Sequence, residues 1–484
     1  MNFRLVILSL LAALSIEASA AYPTVSNVSA VQRWPVSSDV DVWFTVNDDG
    51  DNCDFDLVAT WQGQTAGKTI GTVFAPGPGR QHYVWHTESL KMPAHDCSDI
   101  YDPDPERYRN CIYKRPETKF AELSNAPLKG FRVEVRPAKI SDRMFMCIHL
   151  KDGTVSYGKE KTFVNLKSTA IQSDCLVFRR VRAKDDFGKT IVYTNGYSEA
   201  LNHFEFPMAD GSWKSIKDDA EFAKTYGGQY QLREVTFSAD YFISVFLTTS
   251  GQLHYMYRNA SYFVGCNSVN QRSYDQLRGT LSEGINWPWS GFKVSPNSDI
   301  AHFREFLKPF VGNMILDLPT RAQLETAMRA GTDGNQILAP DPELKVAPIT
   351  TAMAGDGAAI SNAFNSICIW TGSVPSLYAD NENVAHAGAN AWGLYDVVGL
   401  YKVWTLDTDY TPNGAGLDPV GSWRTEKSFE SDANRRQTMS YRRTNSDLRR
   451  FVPGIFEGMP VERTNSSSAR FVLNTKDWMA DRTK

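Results

Sequence analysis

Seven cysteines are the residues best equipped for chemistry in this 484-residue chain: Cys53, Cys97, Cys111, Cys147, Cys175, Cys266 and Cys368. Outside a reducing cytosol some of them should pair. Cys97 with Cys111 is the first choice, because that bond would staple a single polar loop. An odd count leaves at least one thiol over, unless it bonds another chain. His82 and His86 have the spacing of a metal pair on a helix, but Gln81 to Thr87 reads as a strand. Asp48, Asp49, Asp51, Asp54 and Asp56 offer the oxygen donors that calcium uses, yet they miss the spacing of a calcium-binding loop, and a solvated hairpin turn accounts for them. The run Gly63-Gln64-Thr65-Ala66-Gly67-Lys68-Thr69 falls one residue short of a phosphate loop, with Gln62 where its first glycine would stand, and it opens no helix. There is no His-Glu-x-x-His motif, no Gly-x-Ser-x-Gly elbow and no Gly-x-Gly-x-x-Gly loop. A Ser/His/Asp triad assembles in space and stays open, with nothing to nominate its members.

The other chemical signal is cationic. Arg435-Arg436, Arg442-Arg443 and Arg449-Arg450 recur at a fixed spacing. Guanidinium forks match sulfate and carboxylate geometry, so one reading is a groove for an anionic ligand such as a sulfated or acidic glycan. The other is that these arginines pair with Glu430, Asp432 and Asp447 or face solvent. The formal net charge of −4 gives no electrostatic case for nucleic acid.

The elements that must position these groups divide by texture. Residues 1–20 carry Arg4, an apolar run from Leu5 to Leu14 and the small-residue close Ala18-Ser19-Ala20, the pattern of a secretory signal peptide. The run is too short and wrongly flanked for a spanning helix. No cysteine sits near the cleavage point, so no lipid anchor is indicated. No second long apolar run follows, and the expected location is secreted or periplasmic, without membrane insertion. Residues 21–170 read as an all-β sandwich of the Ig-like or fibronectin-like kind. Val40 to Val46 alternates, an acidic turn follows, Phe55 to Trp61 looks like the return strand, and Phe131 to Val135 and Met144 to Leu150 add more.

From about Asp174 the texture becomes mixed α and β, with tryptophan-rich loops. Phe237 to Thr248 reads as strand, and Ser273 to Arg278 as the start of a short helix. The best helix signal is Leu318 to Gly331. Thr320 is its N-cap, Gln323 completes a capping box, Gly331 supplies the left-handed stop, and Leu324, Ala327 and Met328 form one buried stripe.

The order of those residues says more. Leu318-Pro319-Thr320-Arg321-Ala322-Gln323-Leu324-Glu325-Thr326-Ala327-Met328-Arg329-Ala330-Gly331 resembles a motif of the sulfatase-modifying-factor family, that of the formylglycine-generating enzyme. Asn390-Ala391-Trp392-Gly393-Leu394-Tyr395-Asp396-Val397-Val398-Gly399 is similar to its second motif. Weaker blocks follow the family's order: Arg233 to Leu253 for the opening strands, Val420-Gly421-Ser422-Trp423 for a Gly-Gly-Ser-Trp turn, and Ala469-Arg470-Phe471-Val472 for the closing strand. The resemblance covers residues 174–475, leaving 476–484 as a tail. It implies an α+β fold, a C-type-lectin-like domain with little regular structure behind the sandwich.

The same alignment separates fold from activity. The family's aerobic oxidases place a copper-binding cysteine pair just after that turn, and thiolates are what Cu(I) requires. Here Thr425 and Glu430 stand at those positions, and no cysteine follows Cys368. No catalytic residue is therefore assigned and copper is not expected. The family's Asn-x-x-Glu calcium segment is replaced by Leu400-Tyr401-Lys402-Val403, so that site is lost. A structural calcium elsewhere has no ligand set that can be named, and no cofactor is predicted.

The implied binding surface is the cleft around Trp404, Ser422, Trp423 and Arg424, with Arg435, Arg436, Arg442 and Arg443 beside it. Three function classes follow. The chain is a binding or scaffold protein for a carbohydrate, an anionic ligand or another exported protein. Alternatively it is a divergent sulfatase-modifying enzyme. A third class, variable proteins of the diversity-generating kind, would need hypervariable positions between Trp423 and Ala469.

Overall fold

Val40, Val42, Phe44 and Val46 alternate with Asp41, Trp43 and Thr45, and the strand they form buries the first set completely while the second stays at the surface. A computed structural model describes residues 22–48, 53–86, 127–150, 153–195, 205–207, 213–215, 232–256, 299–332, 336–345, 349–350, 368–369, 384–385, 388–399, 402–406, 416–419, 438–440, 454–456 and 467–476. These residues are rich in β-structure, arranged in several mostly antiparallel sheets with few helices. No helix among them is long and apolar enough to cross a membrane.

Six strands build the front layer pair: β1 (Val25–Gln32), β2 (Val40–Val46), β3 (Cys53–Trp61), β4 (Gln64–Val73), β5 (Gly79–Trp85) and β6 (Arg132–Lys139). One sheet runs β1-β2-β5 and the other β4-β3-β6. Their inner faces share one core, in which Phe44 meets Phe55 at 5.9 Å and Trp61 meets Trp85 at 5.8 Å between ring centroids. The expected hairpin of β2 and β3 does not form. β2 pairs with β1 and β5 in one sheet, whereas β3 pairs with β4 and β6 in the other. The near-phosphate-loop run lies in the β3–β4 turn and in β4 itself, as a strand.

The next sheet is six-stranded. It contains β7 (Phe145–His149), β8 (Val155–Gly158), β9 (Cys175–Val181), β10 (Tyr241–Ser244), β11 (Ile315–Asp317) and β12 (Val472–Asn474), in the order β11-β12-β10-β9-β7-β8. The change of texture near Asp174 thus falls inside a sheet: β7, which reads with the sandwich, pairs with β9 and not with β6. Both faces are buried. Cys147, Cys175, Val177, Ile243 and Val472 point to one core, while Ile148, Leu176, Phe178, Phe242 and Leu473 point to the other. That is why these strands read as nearly continuous apolar runs.

Among the described residues the α-helices are α1 (Thr169–Asp174), α2 (Ser250–Met256), α3 (Asp299–Val311) and α4 (Arg321–Arg329). Thr320 caps α4 with its side chain, accepting from Gln323 N, and Gln323 Oε1 accepts from Thr320 N at 3.0 Å. The left-handed stop begins one residue early, at Ala330 (φ 54°), and continues into Gly331 (φ 69°). The single buried stripe is a correction as well. All nine residues of α4 are buried, Arg321, Glu325 and Arg329 included. Its charged positions are therefore enclosed by protein instead of facing water.

Candidate functional site

The region where the front sandwich meets the six-stranded sheet is organised by one side chain. Arg180 on β9 is fully buried and spends its guanidinium on two carboxylates. Nη1 and Nη2 donate to Asp54 of β3 at 2.7 and 3.0 Å, and Nε donates to Asp240 at 2.6 Å. Its flat face lies near Phe74 and Phe242, with centroid distances of 5.6 and 5.5 Å. The two carboxylates hold the guanidinium pKa above its usual range despite a large desolvation cost.

The remaining lone pairs of those carboxylates fix loops. Asp54 Oδ1 accepts from Ala75 N at 3.1 Å, anchoring the turn Ala75-Pro76-Gly77-Pro78. Asp240 Oδ1 accepts from Ala183 N at 2.7 Å, and the Asp240 carbonyl accepts from Thr475 Oγ1 at 2.6 Å. Together these segments bound a cleft of about 510 Å³, whose lining includes Gln81, His82, Lys184, Asn313 and Lys476. Gln81 braces the proline turn by donating to the carbonyls of Pro76 and Gly77. Asn313 ties the α3 end to the β5 edge, donating to His82 O at 3.0 Å and accepting from Val84 N at 3.4 Å. Both walls and the floor therefore rest on hydrogen-bonded supports.

The calcium-donor reading of the aspartates dissolves in this geometry. Asp48 accepts from Thr24 at the surface, Asp54 is locked to Arg180, and Asp56 pairs with Arg143 and Thr72, so no cage forms from these three. Asp54 is wholly buried, not part of a solvated turn; Asp49 and Asp51 lie outside the described residues. His82 and His86 do share the outer face of one strand end, but each has its own carboxylate. His82 Nε2 lies 2.7 Å from Asp41 and His86 Nδ1 lies 3.1 Å from Asp39. His82 also stacks on Trp43, 3.8 Å between centroids, with Arg80 over the same indole. Asp41 accepts from Arg33 as well, and this pairing, helped by His82, pulls its pKa down to about 2.

Of the residues nominated from the sequence, Ser422, Trp423, Arg424, Thr425, Glu430, Arg435, Arg436, Arg442 and Arg443 lie outside the described residues, as do Cys97 and Cys111, the Ser273–Arg278 segment and residues 1–20. Trp404 ends a short strand, Lys402–Trp404, and pairs with Thr438 through its backbone. The blocks that are described do converge. Asn390 donates to the carbonyls of Ala327 and Met328 at the end of α4, and Arg470 donates to those of Ser244, Val245 and Tyr395. Burial drops the Arg470 pKa to about 10, with Asp396 opposing the fall. The Arg180 hub escaped the sequence reading because its partners lie 126 and 60 positions away.

Cys53, Cys147 and Cys175 are not engaged in disulfides. Two of them, with His149, bring three ligating atoms within 4.8 Å of one another.

No family model matches the chain, and no curated protein matches it. Two solved structures share a weak likeness with it. Treponema denticola variable protein 1 has 14% identity and a TM-score of 0.33, over 62% of this chain and 95% of that one. CarF has 13% identity and a TM-score of 0.26, over 58% of this chain and 97% of that one. Likeness at that level assigns neither fold nor ligand.

Proposed function

We propose that this is an exported binding protein: an Ig-like sandwich in front of a C-type-lectin-like α+β domain of the formylglycine-generating-enzyme type that holds a ligand without oxidising it. The observation that carries this reading is the cleft at the joint, built in advance on the Arg180 hub. Preorganised walls spare the ordering cost that a loose surface incurs on binding. Its lining indicates the class of ligand. Gln81 and Asn313 offer amides, His82 an imidazole, and Lys184 and Lys476 ammonium groups. Amide and imidazole groups suit hydroxyls, and ammonium groups suit a carboxylate or sulfate, so an acidic oligosaccharide is the ligand this lining fits.

The contacts of Asn390 and Arg470 with α4 and β10 support the family reading, since they join sequence blocks that the resemblance already groups. The sequence supports the absence of oxidase chemistry: Thr425 and Glu430 replace the thiols that would hold copper.

Calorimetry of the full chain with oligogalacturonate and heparin fragments tests the proposal. Lys184→Glu combined with Lys476→Glu should weaken binding by about tenfold or more, equivalent to ~1.4 kcal/mol. Charge reversal at Arg435, Arg442 and Arg449 compares the arginine stretch with the cleft. Unchanged affinity in both sets overturns the binding reading. Aldehyde formation on a sulfatase-motif peptide would instead establish the divergent enzyme.

A further inference from the structure

Cys147 and His149 are two residues apart on β7, so the strand's period of two puts both on the same face. Cys175 begins β9 directly opposite His149 in the antiparallel register. Three donors from two adjacent strands thus meet at one point. Cys175 Sγ lies 3.2 Å from His149 Nδ1, and Cys147 Sγ lies 3.9 Å from Nε2. Both sulfurs are buried, while His149 is half-buried and keeps a path to solvent. The strands are held firmly here, with Gln252 Nε2 donating to the Cys175 carbonyl at 2.7 Å and His149 bonded through its backbone to Thr154 and Gly153.

We propose that Cys147, His149 and Cys175 bind one thiophilic d10 metal ion, zinc(II) or copper(I). Two thiolates and an imidazole are a soft-to-borderline donor set that disfavours calcium and magnesium, whose ligands are oxygens. Zinc bond lengths of about 2.3 Å to sulfur and 2.0 Å to nitrogen put tetrahedral ligand atoms roughly 3.5–4 Å apart. The observed separations, all within 4.8 Å, need only small side-chain shifts to reach that. Binding releases the two thiol protons to solvent, and the imidazole ligates in its neutral form. Copper(I) is satisfied by the three donors. Zinc takes a water as its fourth ligand on the open side of His149.

A disulfide is the rival use of these sulfurs, which lie within 4.8 Å of one another. Cys147 and Cys175 occupy diagonal positions of the ladder, Cys147 opposite Val177 and Cys175 opposite His149, and neither is engaged in a disulfide. Each sulfur instead lies beside a nitrogen of the same imidazole, as a shared metal ion requires.

The test uses the full chain purified under reducing conditions. A single equivalent of zinc should survive gel filtration, and cobalt(II) should give intense sulfur-to-metal charge-transfer absorption. A copper(I) arm with a chelator competitor distinguishes the two ions. Cys147→Ala and Cys175→Ala should each abolish binding, whereas Cys53→Ala, which alters a buried cysteine in the sandwich core, should retain it. If the cysteine variants fail to fold, the cobalt spectrum of the unaltered chain still decides. No stoichiometric zinc or copper(I), with no sulfur-to-cobalt band, overturns the proposal. A Cys147–Cys175 disulfide in the non-reduced peptide map overturns it equally.

Discussion

Arg180 holds Asp54 through two parallel hydrogen bonds of 2.7 and 3.0 Å, and with them one sheet of the front sandwich is fastened to the six-stranded sheet behind it. Neither side chain is exposed to solvent. Such a pair gains little over an apolar replacement, because desolvation of the ions offsets most of their attraction. Removing one partner alone is different, since it leaves an uncompensated charge inside the protein.

Arg180→Leu should therefore destabilise the chain by about 3–5 kcal/mol, read as a lower urea midpoint. Adding Asp54→Asn and Asp240→Asn to that variant should recover a large part of the loss. The double addition matters because Asp240 also holds Ala183, and an asparagine oxygen can keep that bond. A single Arg180→Leu with an unchanged midpoint would mean that the buried carboxylates found another cation.

Acid should remove one stabilising pair on the outer face of the sandwich. Asp41 accepts from Arg33 at 2.8 and 2.7 Å and meets His82 at 2.7 Å, and its pKa falls to about 2. An unfolded aspartate titrates near 3.9, so its folded form binds protons more weakly than its unfolded form. The stabilisation is thus fully present above about pH 5 and disappears as pH falls from about 4 to about 2. Arg33 is 41% exposed, so solvent screening keeps the effect to about 1 kcal/mol. The stability difference between the wild type and Asp41→Asn should shrink to zero across that window; a difference that persisted at pH 2 would assign the effect to packing.

Asn390 shows how one amide replaces a stretch of regular structure. It is fully buried and makes four bonds: its nitrogen donates to Ala327 O and Met328 O at 2.9 and 3.0 Å, and its oxygen accepts from Trp392 N and Leu394 N at 3.1 and 3.0 Å. Asn390→Asp keeps the acceptor but aims a charge at two helix-end carbonyls. Each buried polar group left unsatisfied costs about 1–3 kcal/mol. Both Asn390→Asp and Asn390→Ala should lower the melting temperature, the aspartate variant more at pH 8 than at pH 4, as scanning calorimetry would record.

Local pattern carried the sequence reading only as far as local forces act. The alternation of β2 and the capping box of α4 were legible because each is settled within a few residues of itself. The buried charges of α4 were not. An Arg321-Glu325-Arg329 face looks solvent-facing in the sequence, yet all three residues are buried by parts of the chain distant from the helix. The β2-to-β3 crossover was hidden for a related reason, since an acidic turn suits a hairpin and a crossover equally. The Cys147/His149/Cys175 cluster needs the β7–β9 register, which pairs residues 26 positions apart. The strand was visible and its partner was not.

Tyr83 gives a last, steric test of the joint. Its phenol is buried, donates to Ile70 O at 3.2 Å and fills the space beside two glycines, one on either side of the joint. A Cβ placed on Gly71 of β4 would overlap the Tyr83 ring, and so would one on Gly312, which follows α3. Gly312 also has φ 61°, a conformation that costs any other residue energy. Overpacking of this kind costs about 1–3 kcal/mol. Gly71→Ala tests the ring contact without the backbone effect, and should destabilise in the background of Tyr83 but much less in Tyr83→Ala. The coupling between the two changes, measured by a double-mutant cycle in urea, should be at least about 1 kcal/mol. Additive effects would show that Gly71 is required by the strand and not by the phenol.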